Sequence, residues 1–163
     1  LSSVDASYEQ TMNAMYSAPL FLQILCLAVL VPISEEYVFR GLFFKRLESS
    51  TTFVYAMLYS SLVFGILHIN LVQMIYGFIL GMMLAYVYEK YGSLKAPVAA
   101  HMAMNLLSVL ATEFGLYSWL MKDKIRIGVI TVACATIAST MFVMIRGIEE
   151  KPQKKNDKEN LAM

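Results

Sequence analysis

From Ser49 to Tyr88 the chain runs for forty residues without an Asp, Glu, Lys or Arg, and a second uncharged run separates Glu9 from Glu35. A helix needs about 20 apolar residues to cross the ~30 Å hydrocarbon core of a bilayer, so the longer run holds two crossings. Inside hydrocarbon every backbone N–H and C=O must be paired within the chain, which favours helices. The expected fold is therefore all-α: a polytopic transmembrane helix bundle of about five membrane helices, one of them kinked or broken near Pro32. The chain is 58% hydrophobic and 15% charged, which places it in the membrane class.

Residues 18–33 read as a membrane helix, with Pro32 kinking its end. Ser34 then suits the N-cap of a restarted helix over 34–48, with Glu35 and Glu36 in its first turn. The forty-residue run reads as a hairpin, 52–68 and 72–89, turning near His68, Ile69 and Asn70. Gly77 and Gly81 form a Gly-x-x-x-Gly pair suited to close helix packing. Residues 96–112, opened by Pro97, and 127–145 supply the last two spans. Residues 1–16 form an N-terminal segment, 17–146 the membrane core, and 147–163 a polar tail expected to be disordered. The start, LSSVDASYEQ, has neither an initiator Met nor the basic region of a signal peptide. It reads as a processed chain or a piece of a longer one.

With the N-terminus outside, ten Lys and Arg fall on inside segments, and Lys122, Lys124 and Arg126 fall outside. That bias predicts a cytoplasmic C-terminus, and the short loops favour a bacterial plasma membrane. The net charge of +1, with no basic stripe and no Gly-rich phosphate loop, argues against a nucleic-acid partner. Cys26 and Cys134 lie in apolar stretches without partner spacing and read as core thiols.

Against this background a few polar residues stand out. A charged side chain at the centre of a membrane helix costs roughly 2.5–3.5 kcal/mol on insertion scales, so such residues mark functional sites by default. Glu36 and Arg40 are four apart, the spacing of an ion pair on one helix face. Glu35 points about 100° away and has no partner in its own turn. His68 follows Phe64 by four, so the ring and the imidazole share a face. His101 and Asn105 are also four apart. Each feature has a plainer reading. The glutamates mark a helix N-terminus at the membrane surface, His68 is a satisfied interfacial residue, and His101 with Asn105 ties two helices together.

Taken together, a carboxylate, two imidazoles and a carboxamide are what water-mediated peptide hydrolysis needs: a base for water, donors for the oxyanion and a proton for the leaving amine. Rival intramembrane chemistries lack their residues. There is no His-Glu-x-x-His and no Gly-x-Ser-Gly, and Asp5, Asp123 and Asp157 lie outside the spans.

The segments Glu35-Glu36-Tyr-Val-Phe-Arg40, Phe64-Gly-Ile-Leu-His68 and His101-Met-Ala-Met-Asn105 resemble the three motifs of the CPBP family, the CAAX-processing and bacteriocin-processing (Abi) membrane endopeptidases. The resemblance covers about residues 20–112, and three motifs in order are specific where one alone is weak. It implies an intramembrane endopeptidase acting on a lipidated or hydrophobic peptide, in peptide maturation or bacteriocin self-immunity. By position, Glu35 would be the catalytic carboxylate, acting with His68 on water. Glu36 and Arg40 would form a structural ion pair, and His101 and Asn105 would stabilise the oxyanion. Two cofactor states fit: zinc held by Glu35, His68 and His101, or no metal, which is favoured because no paired ligand motif is present. Two other readings stay open. One is a non-catalytic membrane scaffold that binds another membrane or cell-wall protein. The other is a small transporter or proton relay.

One geometric difficulty follows from the spans. If 52–68 crosses the whole bilayer, His68 lies at the outer side and His101 near the inner side, well over 10 Å apart at ~1.5 Å per residue. Helix tilt, or a turn at 68–71 that dips into a water-lined cavity, must close that gap.

Overall fold

The computed structural model describes residues 13, 16–68 and 71–148. Residues 1–12, 14 and 15 of the N-terminal segment, Ile69 and Asn70 of the hairpin turn, and the polar tail from residue 149 lie outside the described residues. Among the described residues the regular elements are helices: α1 (Leu20–Glu48), α2 (Phe53–Ile66), α3 (Leu71–Tyr91), α4 (Lys95–Glu113), the short α5 (Leu116–Met121) and α6 (Lys124–Arg146). Helices α1 and α6 are long and apolar enough to cross a membrane by length and composition.

Helix α1 is continuous through the expected kink, and only the restart at Ser34 is corrected. It runs through Pro32 and Ser34 without restarting. The Ser34 hydroxyl donates to the Val31 carbonyl (2.8 Å) within the helix, so it is not an N-cap. Glu35 and Glu36 therefore sit in mid-helix. Two π-helical stretches, Ile24–Leu30 and Tyr37–Phe44, flank them. A π turn takes one extra residue, and such turns gather at functional sites. Here the first lies just before Pro32, whose missing N–H would otherwise break the bonding pattern.

Helices α2 and α3 pack as an antiparallel hairpin. Glycines let the backbones meet: a Cβ on Gly81 would fall 2.9 Å from the Cβ of Ser61, and one on Gly77 would fall 3.5 Å from the Cα of Gly65. The Gly-x-x-x-Gly pair thus does what its spacing predicts. At 14 residues α2 is only ~21 Å long, shorter than a ~30 Å hydrocarbon core. The full crossing expected over 52–68 is therefore not made by α2 alone.

Small residues and aromatics fill the interior. Phe44, Ala56 and Ala85 are fully buried, and Phe44 meets Phe53 and Tyr88 edge to face at 6.1 and 5.7 Å between ring centroids. Helix α4 begins with Pro97 buried in its first turn and packs along α1. Helix α6 buries no residue and touches α3 through the stacked rings of Tyr86 and Phe142. The side chain of Asp123 caps it by accepting the Ile125 N–H (2.9 Å). Cys26 and Cys134 are exposed and free, not core thiols. In a membrane helix an apolar stretch faces lipid as readily as protein, so hydropathy alone does not assign a face.

Candidate active site

The site forms where the middle of α1 meets α4 and the hairpin α2–α3. Glu36 is fully buried, and its Oε1 accepts from Arg40 Nη1 (2.8 Å) and from His101 Nδ1 (2.9 Å). A carboxylate only accepts, so the Nδ1 of His101 carries the hydrogen. The imidazole is thereby fixed with Nε2 pointing at Glu35, whose Oε2 lies 3.6 Å away. That gap is too long for a direct hydrogen bond, but a water set to one side of the pair can reach both. The Glu35 side chain is 28% exposed where Glu36 is sealed, so Glu35 is the accessible end of the chain Arg40–Glu36–His101–Glu35.

Arg40 is held from a second side, because its Nη2 donates to the Gly81 carbonyl (2.9 Å) on α3. Its guanidinium also lies over the Phe64 ring, 5.0 Å from the centroid. Phe64 is the hub of the site. It meets Phe39 at 5.0 Å, His68 at 5.1 Å and His101 at 6.0 Å, each edge to face. Both imidazoles thus pack against one buried ring.

His68 bonds through Nδ1 to the Phe64 carbonyl (2.9 Å). A carbonyl cannot donate, so Nδ1 carries the hydrogen and Nε2 is left as the free basic nitrogen of the neutral ring. The Gly77 position, where a Cβ would fall 3.2 Å from Nδ1, makes room for this imidazole. Glu35 lies within electrostatic reach of His68 as well as of His101.

Asn105 goes elsewhere. Its amide donates to the main-chain carbonyl of Leu27 (2.9 Å) on α1, so one of its two donors is spent on backbone. Gln23, buried and not singled out by the sequence, donates to the carbonyls of Tyr16 (3.2 Å) and Ala18 (2.8 Å) and reaches Glu113 of α4 (3.5 Å). Its signal was visible as the one amide inside the first apolar span. The Gly81 carbonyl and the Leu27 carbonyl carry no side-chain signal at all.

Among the described residues no group of three or more His, Cys, Asp and Glu is placed to hold a metal ion. Glu35, His68 and His101 thus do not form a ready three-ligand set.

The bundle is all-helical, and its glutamate–histidine–glutamate chain runs from the buried Glu36 to the accessible Glu35. The family model described as type II CAAX prenyl endopeptidase Rce1-like matches residues 17–107, more than half of the chain and all three motifs. The chain belongs to that family. It is 34% identical over 89 residues to a Bacillus subtilis (strain 168) protein named "Putative membrane peptidase YdiL". The aligned stretch is 55% of this chain and 36% of the relative, so the chain spans little more than a third of that protein. No solved structure matches.

Proposed function

We propose that the chain is the catalytic core of an intramembrane endopeptidase that hydrolyses a peptide bond in a lipidated or hydrophobic peptide. The observation that carries this reading is the Glu36–His101 bond, which aims Nε2 of a buried histidine at the accessible carboxylate of Glu35. A helix tie needs only the first contact. The second sets a base beside a group able to share its proton.

In the proposed reaction Glu35 takes a proton from water as the water oxygen bonds to the scissile carbonyl carbon. The carbonyl π pair moves onto oxygen. His101 enters the reaction with both ring nitrogens protonated and leaves it so: Nδ1–H stays on the carboxylate of Glu36, and Nε2–H hydrogen-bonds the developing oxyanion without being transferred. Collapse re-forms the C=O bond and breaks the C–N bond, and the leaving amine takes the proton first removed from water. His68, with Nε2 open, orients the water. Phe64 and Arg40 hold the geometry. These roles follow the motif resemblance for Glu35, His68 and His101; they differ from it for Glu36, which orients a reacting histidine as well as pairing with Arg40, and for Asn105, whose amide bonds the Leu27 carbonyl and is given no part at the oxyanion.

The reading keeps the metal-free expectation drawn from the absence of a paired ligand motif and routes no step through a metal ion. Chelators are expected to leave the rate unchanged, and loss of activity restored by zinc would overturn that part. The substrate class rests on the family and on the position of the site within apolar helices. A bacterial plasma membrane and a cytoplasmic C-terminus remain part of the proposal.

The test is mass spectrometry of hydrophobic and lipidated peptides incubated in bilayer nanodiscs with the wild type and with Glu35→Gln. Cleavage by the wild type alone is expected. Intact peptides in both reactions, with capture of a membrane protein instead, would support the scaffold. Proton flux in reconstituted vesicles without peptide products would support the relay.

A further inference from the structure

Asn105 donates to a backbone carbonyl, and the reason lies in α1. In the π-helical stretch Ile24–Leu30 the N–H of Val31 bonds to the Cys26 carbonyl, five residues back. The next carbonyl in that register belongs to Leu27, and the residue facing it is Pro32, which has no N–H. A buried carbonyl without a donor in apolar surroundings is costly. The Nδ2 of Asn105 fills that place at 2.9 Å. Pro32 is itself fully buried, so the gap left by its missing N–H faces protein.

We propose that Asn105 is a positioning residue: by capping the Leu27 carbonyl it holds the π turn before Pro32, and that turn sets the rotation at which Glu35 and Glu36 meet His101. A π turn holds one extra residue, so its loss rotates everything after it by on the order of 100°, one α-helical step. Glu36 would then leave His101, and Glu35 would point off the site. The catalytic consequence rests on the endopeptidase reading; the structural link does not.

Pro32 supplies the test. Pro32→Ala restores an N–H at position 32, so the α1 backbone can satisfy the Leu27 carbonyl without Asn105. The protein is prepared with 15N-labelled histidine, and because the chain has two histidines the Nδ1–H resonance of His101 is the one that persists in His68→Gln. In Asn105→Ala that resonance is expected to shift or vanish, with a lower melting temperature. In Asn105→Ala/Pro32→Ala both should return most of the way to wild type. If Asn105→Ala does not fold, the double variant should, and its failure to fold would overturn the proposal. So would an unchanged His101 signal in Asn105→Ala, or a loss equal in both backgrounds. These readouts need no turnover, so an inactive wild type would refute the endopeptidase and leave this inference standing or falling on its own.

Discussion

The Nδ1 of His101 and the Oε1 of Glu36 lie 2.9 Å apart although 65 residues separate them along the chain. The same oxygen takes the Arg40 guanidinium at 2.8 Å. One carboxylate oxygen therefore neutralises a buried cation and orients a histidine, and that double duty gives distinct consequences for each partner.

Removing Glu36 should damage both fold and function. Breaking one side of a buried ion pair costs about 3–5 kcal/mol, because the remaining charge is left without compensation. Glu36→Gln should therefore lower the melting temperature sharply. The double change Glu36→Leu/Arg40→Leu removes both charges and should recover much of the stability. Activity should stay lost in the double variant, since His101 no longer has a carboxylate at Nδ1. Thermal unfolding in detergent and peptide turnover, measured on the same samples, separate the two effects.

Glu35 should behave in the opposite way. Its side chain is partly exposed and shares no bond with Arg40, so Glu35→Gln should leave the unfolding free energy within about 0.5 kcal/mol of wild type. Turnover should fall by about 10²–10⁴, the usual worth of a positioned base. A stable variant with undiminished turnover would remove Glu35 from the reaction.

The sequence made the polar set legible but not its wiring. Spacing paired Glu36 with Arg40 and Phe64 with His68, and both pairs are present. Those are contacts within one helical turn, which the 3.6-residue period encodes directly. The Glu36–His101 bond joins α1 to α4, and no periodicity encodes which helix faces which. Pro32 and Ser34 suggested a broken helix because local propensity carries no term for a π turn and a side chain from another helix satisfying the backbone. The exposed cysteines were misread for a related reason, since lipid and protein interior look alike to a hydropathy pattern.

Gly81 offers a test of the hairpin. Gly81→Ala places a Cβ 2.9 Å from Ser61 Cβ and 3.0 Å from its Cα, too close for either helix to stay in place. A loss of about 1–3 kcal/mol is expected from such overpacking. Because Arg40 bonds to the Gly81 carbonyl, turnover should fall as well. Ser61→Gly on the same background should restore part of both, which unfolding curves and rates can check.

Gly77 reports on His68 more selectively. A Cβ there meets Nδ1 at 3.2 Å and Cε1 at 3.4 Å, so the imidazole must give way by a few tenths of an ångström. Gly77→Ala should reduce kcat, with a smaller loss of melting temperature than Gly81→Ala. Equal losses of stability in the two variants would mean that Gly77 serves only the packing of α2 against α3.

The central claim is that Glu35 acts as a base toward water, and oxygen labelling tests it most directly. A single turnover in water enriched in 18O, with enzyme in excess over peptide, should place one solvent oxygen in the new C-terminal carboxylate. Product carrying only unlabelled oxygen after the first turnover would mean that a Glu35 oxygen attacked the peptide through a covalent intermediate, and would contradict the account.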